Sequence, residues 1–89
     1  MLSVDDFRHE LSAQIERATR QGRPHIEVNA GELHRTLGGY PAKAGENHSM
    51  PLCCSVMRAE QRRGNSEIVF ETPSGNAASL TIRYGLPRN

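Results

Sequence analysis

The sequence has no tryptophan and few aromatic residues of any kind, only Phe7, Tyr40, Phe70 and Tyr84. A core built from it must therefore be mostly aliphatic. It has two cysteines, Cys53 and Cys54, and they are adjacent. Neighbouring cysteines rarely bridge each other, and two do not make a disulfide framework. A reducing, cytoplasmic setting is the expectation. No apolar run nears the roughly 18–20 residues of a membrane span, so no membrane partner is expected. The first residues include Asp5 and Asp6 and no continuous apolar stretch, unlike a secretory signal. Charge of either sign is also short: 11 Lys and Arg stand against 10 Asp and Glu, a formal net charge of +1. That excludes a strongly basic, histone-like binder. With 89 residues, 36% hydrophobic and 24% charged, the chain reads as one folded domain and is too short for two.

The charges that are present are unevenly spread. Residues 1–32 carry Arg8, Arg17, Arg20 and Arg23 against six acids. Residues 33–66 carry Arg35, Lys43, Arg58, Arg62 and Arg63 against only Glu46 and Glu60. All but one of the basic residues are Arg, whose planar fork suits phosphate and guanine better than the ammonium of Lys.

Ser3 with Asp6 approximates a capping box. Val4, Phe7, Leu11, Ile15 and Ala18 then recur at helical spacing, and Gly22 and Pro24 supply a stop, which predicts a helix over 4–20. His25 to Val28 alternates polar and apolar, as a short half-buried strand does. Asn29 predicts the cap of a second helix with Ala30, Leu33 and Leu37 on its apolar face, ending at Gly38-Gly39. Residues 38–48 have loop chemistry. Ser49 is the expected cap of a third helix, with Pro51 in its first turn. Leu52, Cys53, Val56, Met57 and Ala59 form its apolar side; Cys54, Ser55, Arg58, Gln61 and Arg62 form the other. Glu60 falls in the apolar arc, which suggests a fraying end. Strands are predicted over 67–71 and 79–84, joined by a hairpin loop over 72–78.

The expected class is thus α+β, three helices with a small antiparallel sheet, in the order α-β-α-α-β-β. This order resembles a winged-helix domain over nearly the whole chain. The resemblance implies that the first strand joins the C-terminal hairpin, that helices two and three form a helix-turn-helix, that helix three enters the major groove and that the hairpin loop is the wing. Separately, residues 29–35 (NAGELHR), 38–41 (GGYP), 48–54 (HSMPLCC) and 73–84 (PSGNAASLTIRY) resemble a family of short uncharacterised bacterial proteins. That second resemblance implies no activity.

Four constellations can carry chemistry. Ser55, Arg58 and Arg62 stand at i, i+3 and i+7, one stripe on a helix. With Arg63, Asn76 from the loop and Arg83 from the last strand they make a candidate nucleic-acid face, offering cations for phosphates and a few groups for base edges. An ordinary solvated face is the plain alternative. His34, His48, Cys53 and Cys54 are possible metal ligands, but without metal-site spacing, so no metal and no cofactor is expected. Cys54 near the start of helix three and beside Arg58 suggests a half-exposed thiol of lowered pKa, while Cys53 reads as a small core hydrophobe. No catalytic set of nucleophile, base and orienting group is evident. Gly38-Gly39, Asn47, His48 and the start of helix three suggest an anion pocket, against the simpler reading of glycines permitting a turn. The expected partner is double-stranded DNA. The alternative is a protein partner or a second copy of the chain.

Overall fold

The computed structural model describes residues 3–38, 50–73 and 77–88. The expected order holds: α1 (Val4–Arg20), β1 (His25–Asn29), α2 (Ala30–Thr36), α3 (Met50–Gln61), β2 (Ser66–Phe70) and β3 (Thr81–Gly85). The three strands form one antiparallel sheet in the order β1-β3-β2. This is the α+β, winged-helix-like class that the sequence predicts.

Local chemistry sets the helix ends. The Asp6 N–H donates to Ser3 Oγ at 3.3 Å, and the Ser3 N–H donates back to Asp6 Oδ2 at 2.8 Å. That reciprocal box satisfies donors a helix start otherwise leaves open. The Ser3 N–H also holds the Asp6 carboxyl below its usual range. Gly22 follows α1 with φ +74°, a left-handed turn natural to glycine. Asn29 serves two elements: its Oδ1 accepts the Glu32 N–H at 3.0 Å and caps α2, while its Nδ2 donates to Thr81 Oγ1 at 3.1 Å on β3.

Sheet alternation decides which side meets the helices. Ile82 and Tyr84 are fully buried beneath them, with Val28 beside them on β1. Phe7 and Leu11 of α1, Leu33 of α2 and Cys53, Val56 and Met57 of α3 complete the core. As expected it is mainly aliphatic; among the described residues Phe7 and Tyr84 are its aromatics. His34 is buried too, its ring edge-on to Phe7 at 5.2 Å between centroids.

Several boundaries and burials differ from expectation; Leu52 and Ala59, expected on the apolar side of the third helix, are exposed at its edges. β3 starts at Thr81 rather than at 79, because the Leu80 N–H closes a turn on the Ala77 carbonyl at 3.0 Å. β2 covers Ser66–Phe70 rather than 67–71 and carries a register irregularity between Ile68 and Phe70. Such a bulge bends an edge strand and interrupts pairing. Glu60 is not at a fraying end: its side chain is 13% exposed, held between Arg63 and Arg88. Ser49 and the loop over 39–48 lie outside the described residues.

Candidate nucleic-acid interface

α3 is anchored by its inner face. Met50, Cys53, Cys54, Val56 and Met57 are buried, and the Tyr84 hydroxyl donates to the Met57 carbonyl at 2.8 Å. The outer side carries Leu52, Ser55, Ala59 and Arg62, all exposed. Ser55 and Arg62 therefore share the outward stripe that their i, i+7 spacing predicts.

The remaining candidates are less free than their spacing suggested. Arg58 Nη2 donates at 3.1 Å to Oε1 of Glu71, the residue just past β2. Arg63 Nη1 donates to Glu60 Oε1 at 2.8 Å. Arg83 lies on β3 opposite the buried Ile82, so the sheet separates it from α3. There Nε and Nη2 both donate to Glu27 Oε2, at 3.1 and 2.7 Å, and Nη1 donates to Glu67 Oε1 at 2.6 Å. With β3 central, Glu27 on β1 and Glu67 on β2 are both register partners of Arg83. Ser55 and Arg58 thus lie on α3 and Arg62 and Arg63 just past its end, while Arg83 lies across the sheet. Asn76 lies outside the described residues.

The residues that organise this surface were not singled out by spacing. Arg88 Nη2 donates to the Glu60 carbonyl at 2.6 Å and Nη1 to the Asn65 carbonyl at 2.9 Å, while Nε meets the Glu60 carboxylate. The guanidinium also sits 5.1 Å from the centre of the Tyr84 ring. Arg88 so covers the Glu60 carbonyl in the last turn of α3, as a cation at a helix C-terminus does. One signal existed in the sequence: a carboxylate inside an apolar arc, Glu60, needs a cation to be buried.

The thiol expectation is overturned. Cys54 is fully buried rather than half exposed, and its thiol donates to the Ala77 carbonyl at 3.5 Å. Burial raises its pKa, and the nearby Arg58 charge offsets only part of that. Burial pushes the Cys53 thiol up to about 12. Both therefore stay protonated and poorly nucleophilic at neutral pH. Among the described residues no three His, Cys, Asp or Glu side chains gather as metal ligands do. His48, Gly39 and Asn47, invoked for a metal or anion site, lie outside the described residues. Among the described residues no helix is long and apolar enough to cross a membrane.

Comparison of the chain with protein-family models, curated proteins and solved structures finds no match.

Proposed function

We propose that this domain binds double-stranded DNA, with the outer stripe of α3 facing the duplex and the 72–78 loop alongside as a wing. One observation carries the reading. α3 is held against the sheet by its buried face, which leaves Ser55 and Arg62 outward with Arg63 at the same end. A helix docked in this way fits a major groove about 12 Å wide. Arg62 and Arg63 serve phosphates, and Ser55 serves a base edge or a phosphate. The Arg63–Glu60 pair does not forbid this, because its Arg side chain is 65% exposed. Glu60 keeps Arg88 as its partner, so Arg63 can turn to a phosphate without leaving a bare buried carboxylate. The reading takes the cytoplasm as the setting, in keeping with two buried free thiols.

The test is the salt dependence of duplex binding. Arg62→Ala is expected to weaken binding across all sequences and to reduce the slope of log affinity against log salt by about one. Arg83→Ala is expected to change neither. Equal slopes for wild type and Arg62→Ala would remove the proposed interface.

A second reading, self-association along β2, is favoured by one observation. Val69 and Phe70, on an edge strand, are 46% and 53% exposed. It ranks second for two reasons. Two half-exposed side chains fall well short of the roughly 800 Å² per partner of a standard interface. The strand is also short, bulged and carries Glu67, features that discourage edge pairing. Sedimentation equilibrium of wild type and Phe70→Ser decides it: a dimer lost on substitution would favour this reading over DNA binding.

A further inference from the structure

Two residues one turn apart on α3 hold the two stems of the hairpin loop. Cys54 reaches the returning stem, donating to the Ala77 carbonyl at 3.5 Å. Arg58 reaches the outgoing stem, donating to Glu71 at 3.1 Å. Positions i and i+4 share a helix face, so this face is turned to the loop and flanks the outward stripe of Ser55 and Arg62. The Arg58 side chain is accordingly only 24% exposed. The returning stem is tied to α2 as well: the Gly31 N–H donates to the Ala78 carbonyl at 2.9 Å and the Ala30 N–H to the Leu80 carbonyl at 2.8 Å. A Cβ on Gly31 would lie 3.2 Å from the Ala78 Cβ and carbonyl, a tight contact that would press on this stem.

We infer that Arg58 is a positioning residue, which acts through Glu71 to fix the outgoing stem of the hairpin against α3, and so sets how the outward stripe of α3 meets a duplex. The inference rests on the DNA-binding reading, and it assigns Arg58 a role other than the phosphate contact its spacing suggests. An arginine neutralised by a carboxylate adds no net charge to the surface, whereas a pair joining two separate elements restrains their relative placement. Cys54 supports the same restraint from the other stem as a buried, protonated thiol.

Charge exchange tests it, with one readout that needs no DNA. Amide hydrogen exchange over residues 70–72 and 77–80 is measured for wild type, Arg58→Glu, Glu71→Arg and the double exchange Arg58→Glu/Glu71→Arg. Each single variant is expected to speed exchange by about threefold, the scale of a partly exposed ion pair, and the double variant to restore it. Unchanged exchange in the single variants, or no restoration in the double, overturns the inference. Duplex binding supplies the second readout. Glu71→Arg adds positive charge, so it would tighten binding if Arg58 simply met a phosphate. A positioning role instead weakens it by about threefold and restores it in the double variant. If wild type shows no salt-dependent duplex binding, the functional reading falls, while the exchange data still decide what Arg58 does to the loop.

Discussion

Two arginine clusters lie on the two sides of the same sheet, and they show how burial changes what one kind of contact is worth. On the outer face Arg83 bridges Glu27 and Glu67 across three strands, with its side chain 38% exposed. On the helix side Arg88 meets Glu60 and three backbone carbonyls over the Tyr84 ring, with its side chain 8% exposed. Both clusters pair a guanidinium with carboxylate at hydrogen-bond distance. Water screens the first, so its pairs are weak and exchangeable. The second is desolvated, so its gross attraction is large and the loss of one partner strands a buried charge. The outer cluster decorates a solvated sheet face, while the inner one joins the C-terminal residues to the end of α3 that carries Arg62 and Arg63.

The largest expected effect breaks the inner cluster. Arg88→Ala leaves the largely buried Glu60 with Arg63 as its cation and the Glu60 carbonyl without its Arg88 donor, and a loss of about 2 kcal/mol is expected. That is a large part of the 5–15 kcal/mol typical of a domain. Urea denaturation checks it as a lower midpoint at unchanged slope. A midpoint shift no larger than that of Arg83→Ala would erase the contrast between the two sides.

Next comes pH. The helix side of the sheet holds Cys53, whose thiol burial pushes up to about 12 from 9.0, and burial also raises Cys54 and the Tyr84 phenol. The folded chain therefore keeps protons that the unfolded chain releases. This stability is fully present below about pH 9 and is lost as pH rises towards 12. Cys53 alone accounts for a loss on the order of 1 kcal/mol by pH 10. Denaturation at pH 8.5 and pH 10 measures the fall, which is expected to be shallower in Cys53→Ala.

Tyr84→Phe removes the hydroxyl that donates to Met57 while keeping the ring beneath Arg88. A loss of about 1 kcal/mol is expected by the same denaturation assay. The smallest effect belongs to the outer face. Arg83→Ala is expected to cost less than about 1 kcal/mol in dilute buffer, and less still in 1 M salt, where the screening length falls to about 3 Å. A salt-insensitive loss as large as that of Arg88→Ala would show that the outer cluster is not the solvated pair its exposure indicates.

Much of the fold was legible because it rests on local patterns. The bounds of α1 follow from the Ser3–Asp6 box, the apolar spacing to Ala18 and the turn at Gly22. The alternation of Leu80, Ile82 and Tyr84 marks the core side of the last strand. The stripe of Ser55 and Arg62 follows from helical period alone. Less was legible wherever a distant segment covers a residue. Cys54 stands about 100° from Cys53 on the helix and reads as half exposed, until the loop base at Ala77 closes over it. Glu60 reads as a fraying end, until Arg88 arrives from the far end of the chain. Arg58 reads as part of a phosphate-facing stripe, until Glu71 claims it.

The sequence by itself determined the element order, the caps of α1 and α2, and the apolar side of α1 and β3. These depend on neighbours within a few residues, where period and backbone donors decide the outcome. Only the tertiary structure decided which arginines face solvent and which are held. A cation and its carboxylate are matched by the order of strands and the path of the chain, and no spacing along the sequence encodes that distance.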